Sequence, residues 1–265
     1  PLTRLLRVLI LLPPSEGKSP ATAGTPVDLA ALSAPSLTRH RTKVMRALAK
    51  ASARKNALHV LGVGPSLAED VARNTRLDSE PAARAASVYT GVLYAAAGLD
   101  DLTVEQAALA AASVRTVSAL WGAVSPDDVI PAYRLSMGTD LPGVGPLAPT
   151  WRPHLEKVLS PLATGDVVVD CRSAAYLAAW KPAKSTDWVS VRVLRELDGK
   201  RSVVSHNAKH TRGVLTRHLL TRAGEQPRTA EEVLTAAHEL VGGALLDATL
   251  LDGKNGASTL ELVVA

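Results

Sequence analysis

Val-Leu-Ile-Leu-Leu at 8–12, followed by Pro-Pro-Ser-Glu-Gly-Lys at 13–18, is the most informative segment for the architecture of this chain. An unbroken apolar run of this length that ends in two prolines predicts a short buried strand followed by a loop. Val-Val-Val at 167–169, followed by Asp-Cys-Arg-Ser at 170–173, has the same pattern. Because helical segments lie between such strands, we predict an α/β fold of mixed α+β type. It is expected to be one compact domain, residues 1–265, with a mixed sheet flanked by helices.

The composition limits the classes of site that the chain can hold. At 265 residues and 46% hydrophobic composition, it is long enough to bury a large core. The single cysteine, Cys171, excludes an intrachain disulfide framework and multi-cysteine metal sites, and it fits a cytoplasmic location. Its apolar strand-end setting favours a structural thiol over a nucleophile. The seven histidines lack metal-ligand spacing, so we predict no metal site, and the sequence leaves the identity of any cofactor unknown. The apolar run at 8–12 is too short for a span, so no membrane partner is expected.

Sequence periodicity predicts further elements, with the segment at about 36–112 forming a helical insertion. Helices are expected at 36–55, 57–61, 66–74, 81–98, 103–112, 154–159, 174–180, 209–223 and 230–242. Strands are expected at 114–120, 189–197, 202–205 and 259–264, with Asp198-Gly199 as a hairpin turn. The proline-rich stretch at 141–153 is expected to be a loop, because Pro149 and Pro153 oppose a helix there.

Positive charge is concentrated in the insertion. The formal net charge is +5, yet residues 39–84 alone contain ten Lys/Arg against four acidic residues. Within this region ALHVLGVGPSLAEDVA at 57–72 has the pattern of a helix-hairpin-helix, in which Gly62 and Gly64 permit a tight turn and Ser66 lies near the helix start. Backbone amides there can bind phosphate, so we predict double-stranded DNA as a partner. The predicted DNA-binding residues are Gly62, Gly64, Ser66, Arg46, Lys50, Arg54 and Lys55. A plain glycine turn between packed helices is the alternative.

Other cations and tyrosines occur at predicted strand ends and helix starts, where the ligand clefts of α/β proteins lie. Arg134 has apolar neighbours, so its guanidinium is expected either to extend to solvent or to bind an anion. The predicted ligands of an anionic small molecule are Lys18, Tyr133, Arg134, Arg172, Ser173, Tyr176, Lys209 and Arg212. Candidate catalytic residues are Lys18, Asp170 and Lys209, with Asp170 or Glu16 as the general base and Tyr89 as a further stacking or hydroxyl partner. Ordinary cap and turn residues are the alternative for this set.

Six blocks in order along the chain resemble the YaaA family, also called the UPF0246 or DUF328 peroxide-stress proteins. They are LLPPSEGK (11–18), VYTG (88–91), LWGAVSPDDVIPAYRLSMG (120–138), VVDCRSAAYLAAWKP (168–182), AKHTRGVLTRHLL (208–220) and DGKNGASTLELVV (252–264). The third and fifth blocks are the most specific. The chain departs from many relatives at 170–173, where they have Asn-Leu-Ala-Ser, and this departure leaves the cleft ligand open.

The resemblance implies a cytoplasmic protein that confers resistance to hydrogen peroxide by limiting iron-driven damage to DNA. It also implies a helix-hairpin-helix with affinity for duplex and distorted DNA, and a single α/β domain with a positively charged cleft. Two functions are therefore carried forward. The first is DNA binding through the hairpin and the basic helix, and the second is an enzyme or sensor that binds a phosphorylated or carboxylated small molecule.

Overall fold

The computed structural model describes residues 8–204, 206–253 and 257–265, with residues 206 and 207 in backbone only. The strands are β1 (Val8–Leu12), β2 (Ala83–Arg84), β3 (Val114–Ser118), β4 (Gly122–Val124), β5 (Val129–Ile130), β6 (Asp140–Leu141), β7 (Gly145–Pro146), β8 (Val167–Asp170), β9 (Trp188–Leu197), β10 (Lys200–Val203), β11 (Asp247–Asp252) and β12 (Ala257–Val264). The α-helices are α1 (Thr38–Ser52), α2 (Ala57–Leu61), α3 (Ala68–Arg73), α4 (Ala85–Val88), α5 (Val92–Ala97), α6 (Val104–Ser113), α7 (Leu147–Ala163), α8 (Ala174–Leu177), α9 (His206–Thr221) and α10 (Ala230–His238).

The predicted strand at 8–12 is β1, and it lies inside the main sheet. The strand order is β11-β12-β9-β8-β1-β3-β4, with β10 also paired to β9. β1 runs parallel to both β3 and β8, while antiparallel pairs occur towards the edges. Both faces of β1 are covered, since none of its residues is more than 2% exposed. The chain leaves β1 for β3 on one side and later places β8 on the other, so a crevice is expected at the carboxyl end of β1.

The helical insertion is present between β1 and β3, where α1 to α6 lie. The prediction of one helix at 81–98 is wrong, because β2, α4 and α5 occupy that range with a break at residues 89–91. Gly91 has φ +99°, and Tyr89 forms a β-bridge with Lys18. Pairing with the loop after β1 therefore replaces the helix at the position where the two segments meet.

The prediction of a loop at 141–153 is also wrong in its second half. β6 and β7 form a short hairpin, and α7 then begins at Leu147 and continues through Pro153 and Pro161. Pro149 lies in the first turn, where an amide has no intrahelical acceptor to lose. Burial of one helix face compensates for the internal prolines: Trp151 is fully buried and donates its indole N–H to the Ala119 carbonyl at 2.7 Å.

The hairpin predicted around Asp198-Gly199 is confirmed by the antiparallel pairing of β9 with β10. Both turn residues have positive φ, 51° and 71°, as a two-residue hairpin turn requires. Ser205, the predicted end of the second strand, lies outside the described residues. β12 confirms the predicted closing strand, and β11 beside it was not predicted.

Helix α9 approaches the insertion closely at Gly213. A Cβ atom at this position would lie 2.2 Å from the Leu93 carbonyl oxygen and 2.7 Å from the Ala96 Cβ of α5. Only glycine therefore permits α9 to cross α5 at this distance, and this crossing brings the start of α9 beside the loops after β1 and β8. Within the described residues, no helix combines the length and apolar character that crossing a bilayer demands.

Candidate functional site

A cavity of about 620 Å³ lies at the carboxyl end of β1. Its walls come from the loop after β1, the turn after α2, residues 90–94, residues 134–136 and the starts of α8 and α9. The cavity is therefore assembled from segments that are distant in sequence, at the crevice that the strand order creates.

Six of the eight predicted ligand residues line this cavity. They are Lys18, Arg134, Ser173, Tyr176, Lys209 and Arg212. The hairpin residue Gly62 lines it as well, whereas Tyr133 and Arg172 are absent from its lining. Glu16 is the one acidic residue that lines it within the described part of the chain. Four basic side chains and one acidic side chain therefore line the described part of the cavity.

Lys18 is fixed by its backbone and by its amine. Ser19 N donates to the Val88 carbonyl at 3.0 Å, next to the bridge between Lys18 and Tyr89. The Lys18 Nζ donates to the Ser15 carbonyl at 2.6 Å and lies 4.4 Å from the centre of the Tyr133 ring. Burial, and then the positive charge of Arg134, lower the pKa of Lys18 from 10.5 to about 7. An appreciable fraction of this amine is therefore neutral near neutral pH.

Arg134 reaches the same loop from residues 131–138. Its Nη1 donates to the Glu16 carbonyl at 2.6 Å, and the side chain is only partly exposed. Its backbone is held by buried Asn74, whose Nδ2 donates to the Arg134 carbonyl at 2.8 Å and whose Oδ1 accepts from the Arg134 amide at 2.9 Å. Asn74 lies in the insertion and was not predicted as a site residue, since nothing in the sequence indicates which backbone its amide pairs with.

Behind Lys18, the Tyr133 hydroxyl joins those of Tyr89 and Ser118 in a hydrogen-bonded chain, and a third buried tyrosine, Tyr94, bonds separately to the loop after β1. Tyr133 Oη lies 3.0 Å from Tyr89 Oη and 2.6 Å from Ser118 Oγ, and Tyr94 Oη donates to the Pro13 carbonyl at 2.8 Å. Burial raises the pKa of each of these phenols well above its ordinary value, so they stay protonated. Tyr133 thus supports the Lys18 amine with its ring and does not reach the cavity as a ligand.

The opposite wall carries the remaining cavity-lining ligand candidates. Lys209 and Ser173 are exposed there, and the Arg212 Nη2 donates to the Val191 carbonyl at 2.8 Å. Tyr176 is partly buried, and desolvation raises its pKa to about 12, so its hydroxyl remains a hydrogen-bond donor. Ser136 also lines this cavity and was not predicted.

Asp170 and Arg172 pair with each other and not with the cavity. Both side chains are fully buried, and the Arg172 Nε and Nη2 donate to the two Asp170 carboxylate oxygens at 2.9 and 2.7 Å. Arg172 also donates to the Trp180 carbonyl, and the Trp188 indole donates to Asp170. The structure therefore gives this pair a role in holding α8 to the sheet. Their predicted roles as catalytic base and anion ligand have no support in this geometry.

The predicted hairpin is a turn between two short helices. Gly62 ends α2 with φ +65°, and the amides of Gly62 and Val63 donate back to His59 and Leu58 at 3.1 and 2.9 Å. Pro65 has no N–H, and Ser66 provides no side-chain cap. In contrast to the amides of Gly62 and Val63, the backbone amide of Gly64 has no hydrogen-bond acceptor within the described residues, so it is free to bind a phosphate. The hairpin thus offers fewer free donors than the sequence pattern predicts.

The other predicted DNA-binding residues lie apart from the cavity. Arg46, Lys50, Arg54 and Lys55 are all exposed, and no acidic group pairs with them within the described residues. Arg46 lines a separate open groove of about 670 Å³ with Arg39 and Lys43 on α1 and with His154 on α7. The basic surface of α1 and the cavity are therefore two distinct concentrations of positive charge.

Cys171 follows β8 and is fully buried. Desolvation raises the pKa of its thiol to about 12, so it stays protonated and unreactive at neutral pH. This burial agrees with the structural thiol that was expected. In the described residues, no three side chains of His, Cys, Asp or Glu gather closely enough to hold a metal ion.

Comparison with known proteins assigns the family. Residues 8–239 match the family model described as peroxide stress protein YaaA. The chain is 42% identical to a UPF0246 protein of Streptomyces coelicolor over 88% of this chain and 90% of the relative. It is 40% identical to a UPF0246 protein of Corynebacterium efficiens over 97% of this chain and 100% of that relative. The match covers β1, the cavity-lining loops and the start of α9, so the chain belongs to the YaaA family of peroxide stress proteins.

Proposed function

We propose that this peroxide-stress protein acts through its cavity, which binds a small molecule carrying phosphate or carboxylate. One observation carries the proposal: Lys18, Arg134, Lys209 and Arg212, from three separate segments, line one cavity in which Glu16 is the one acidic residue described. Cations gathered in a concave site, with few carboxylates to neutralise them, are stabilised when an anion binds.

The hydroxyl groups at the cavity wall suit the same ligand class. Ser136, Ser173 and Tyr176 line it, and the raised pKa of Tyr176 keeps its hydroxyl protonated as a donor to an anionic oxygen. The cavity volume, about 620 Å³, lies in the range typical of small-molecule sites.

Isothermal titration calorimetry with pyrophosphate and with citrate tests this proposal. Arg134→Gln and Lys209→Gln are each expected to weaken binding roughly tenfold or more, because each removes a charged hydrogen bond. Lys50→Gln is the matched control, since Lys50 is an exposed cation outside the cavity. Absence of binding for both probes, or equal weakening by Lys50→Gln, contradicts the proposal.

DNA binding is a second candidate, favoured by the exposed cations of α1 and its C-terminal end. Arg46, Lys50, Arg54 and Lys55 have no acidic partner in the described structure, and the turn that follows α2 contributes Gly62 to the cavity rim. Phosphate-backbone contact of this kind depends on charge and not on sequence. Protection of DNA from iron-driven oxidation would follow from such binding in a peroxide-stress protein.

Fluorescence anisotropy with a labelled duplex, recorded over a range of salt concentrations, tests this second candidate. The double variant Lys50→Glu/Arg54→Glu is expected to weaken binding and to reduce the log–log salt slope by about 0.9 for each phosphate that is no longer neutralised. Lys184→Glu/Lys200→Glu changes charge equally at exposed positions elsewhere. If the control pair weakens binding as strongly, the attraction is a net-charge effect and this surface has no specific role.

A further inference from the structure

The amine of Lys18 is held against the cavity without a carboxylate partner. Within the described residues no acidic side chain lies at ion-pair distance from Nζ, whose hydrogen-bond acceptors are the carbonyls of Ser15 at 2.6 Å and Glu16 at 3.4 Å. Lys18 is only partly exposed, and a structural lysine whose amine is desolvated is normally paired with a carboxylate, because an unpaired charge is costly to desolvate. The arrangement therefore suits an amine that spends time uncharged.

The contacts of Lys18 match the geometry of a neutral amine. A neutral lysine has two N–H groups and one lone pair, and the two carbonyl oxygens can accept both N–H groups. The lone pair is then left on the side away from these oxygens. The rings of Tyr133 and Tyr89, whose centres are 4.4 and 5.7 Å from Nζ, keep the amine in this position.

Two physical effects favour the uncharged form. Burial, and then the nearby guanidinium of Arg134, lower the pKa of Lys18 to about 7, and together they outweigh the carboxylates of Asp70 and Glu16, which raise it. Desolvation and a neighbouring cation are the devices that activate lysine nucleophiles towards carbonyl compounds. Lys209 lines the same cavity but is exposed at the start of α9, so it lacks these surroundings.

We infer that Lys18 is a nucleophile that captures an aldehyde or ketone carrying phosphate or carboxylate, and holds it as an imine. This inference rests on the proposed function, since Arg134, Lys209 and Arg212 would bind the anionic group while Nζ meets the carbonyl carbon. The substrate class is an anionic carbonyl compound.

The step balances without an oxidant or a cofactor. The Lys18 nitrogen bonds to the carbonyl carbon while the C=O π pair moves to oxygen, which takes up a proton. The oxygen then leaves as water, and the nitrogen completes the C=N bond. Both protons of the neutral amine end on the departing water, so amine and carbonyl give imine and water with no redox change.

Two sources can supply this chemistry, a free phosphorylated aldehyde or the aldehyde of an abasic site in DNA, which is flanked by phosphates. The experiment therefore has two arms, glyceraldehyde 3-phosphate and a duplex with one abasic site. Each is incubated with the full chain and sodium cyanoborohydride, which reduces an imine to a stable amine. Peptide mapping by mass spectrometry then locates the adduct.

The expected result is one dominant adduct, on Lys18, in at least one arm, and the more reactive arm identifies the source. The trapping rate rises with pH through about 7, as the amine loses its proton. Glyceraldehyde without phosphate is trapped roughly tenfold more slowly or worse, because it lacks the charged contact. Lys18→Arg abolishes the adduct, and Lys184→Arg, at an exposed position outside both the cavity and the basic surface of α1, leaves it unchanged.

Adducts spread over exposed lysines, or equal trapping by Lys18→Arg, overturn the inference. Because peptide mapping locates the adduct in the wild-type protein itself, the result does not depend on whether the Lys18→Arg variant folds. If pyrophosphate binds but no adduct forms on Lys18, the proposed anion site is supported and the inferred imine is contradicted. If Lys18 traps glyceraldehyde as fast as its phosphate while pyrophosphate does not bind, the nucleophile stands and the proposed anion site fails.

Discussion

Lys18 and Arg134 donate hydrogen bonds to the same acceptor, the carbonyl oxygen of Glu16, at 3.4 and 2.6 Å. Two cations that share one oxygen repel each other, and this repulsion disfavours the charged form of the lysine. Their proximity is maintained by the Asn74 clamp on Arg134 and by the bridge between Lys18 and Tyr89. The fold therefore sustains an unfavourable charge pair at the wall of its cavity, as functional sites often do.

Replacing Lys18 by methionine is expected to stabilise the protein, and the gain should depend on pH. The pKa of Lys18 is about 7 when folded and 10.5 when unfolded, so between these values the unfolded chain binds more protons. Stability of the wild type therefore rises with pH in this window, by at most about 1.4 kcal/mol per pH unit from this residue. Below about pH 7 the amine is protonated in both the folded and the unfolded state, so the charged amine destabilises the folded state by its full amount.

Chemical denaturation at several pH values between about 7 and 9 checks this prediction. The advantage of Lys18→Met over the wild type should be largest at the lower end and shrink as pH rises. Lys50→Met, at an exposed position, is the control and should show no such trend. A pH-independent difference for Lys18→Met would mean that the folded chain does not depress the pKa of this amine.

Asp170→Asn is expected to cost about 3–5 kcal/mol of unfolding free energy, because it leaves the buried Arg172 charge without its partner. The exposed pair of Arg84 and Asp127, with side chains 45% and 52% exposed, provides the matched control. Asp127→Asn is expected to cost less than about 1 kcal/mol. Urea denaturation of both variants measures the contrast, and similar costs would show that burial does not set the strength of the inner pair.

Asn74→Ala is expected to weaken both folding and anion binding. The change removes the donor and the acceptor that hold the Arg134 backbone, and an unsatisfied buried amide or carbonyl costs about 1–3 kcal/mol. Asn74→Asp keeps the acceptor but loses the donor, and it buries a carboxylate that would face the Arg134 carbonyl oxygen, so it is expected to cost at least as much stability as Asn74→Ala. The readout specific to positioning is pyrophosphate affinity measured on folded protein, which should fall for Asn74→Ala even where stability is sufficient.

Gly213→Ala is expected to destabilise the chain by about 1–3 kcal/mol, because the new methyl group would meet the Leu93 carbonyl of α5. Gly64→Ala is the control: Gly64 has φ −79° and open space where a Cβ would lie, so alanine should be neutral or stabilise by up to about 1 kcal/mol. Thermal unfolding distinguishes the two. Equal tolerance of both changes would show that α5 and α9 can separate without cost.

Cys171 is expected to resist peroxide and alkylating reagents in the folded protein. Its thiol is fully buried and its pKa is raised to about 12, so almost no thiolate exists at neutral pH. Iodoacetamide labelling and dimedone trapping after peroxide treatment should both be absent in the native state and appear after unfolding in guanidinium. Rapid native labelling would instead make this thiol a candidate redox centre.

Local patterns determined a large part of the fold. β1 and β8 can be predicted from their apolar runs, because a strand buried on both faces is apolar whichever strands it pairs with. The hairpin can be predicted from Asp198-Gly199, because these two residue types readily adopt the positive φ that its turn requires. The predictions failed where a distant contact overrides a local preference. The bridge from Tyr89 to Lys18 breaks the predicted helix at 81–98, and burial of Trp151 sustains α7 through its prolines.

The mixed α/β class, the family resemblance and most of the charged residues of the cavity can be predicted from the amino-acid sequence, because composition, periodicity and motif order are local properties. The contacts that each of these residues makes depend on the packing of distant segments. Arg134 lines the cavity because Asn74, sixty residues away, holds its backbone, while Arg172 leaves the cavity to pair with Asp170. Whether a cation meets a ligand or a buried carboxylate depends on the direction of its side chain, and packing sets that direction.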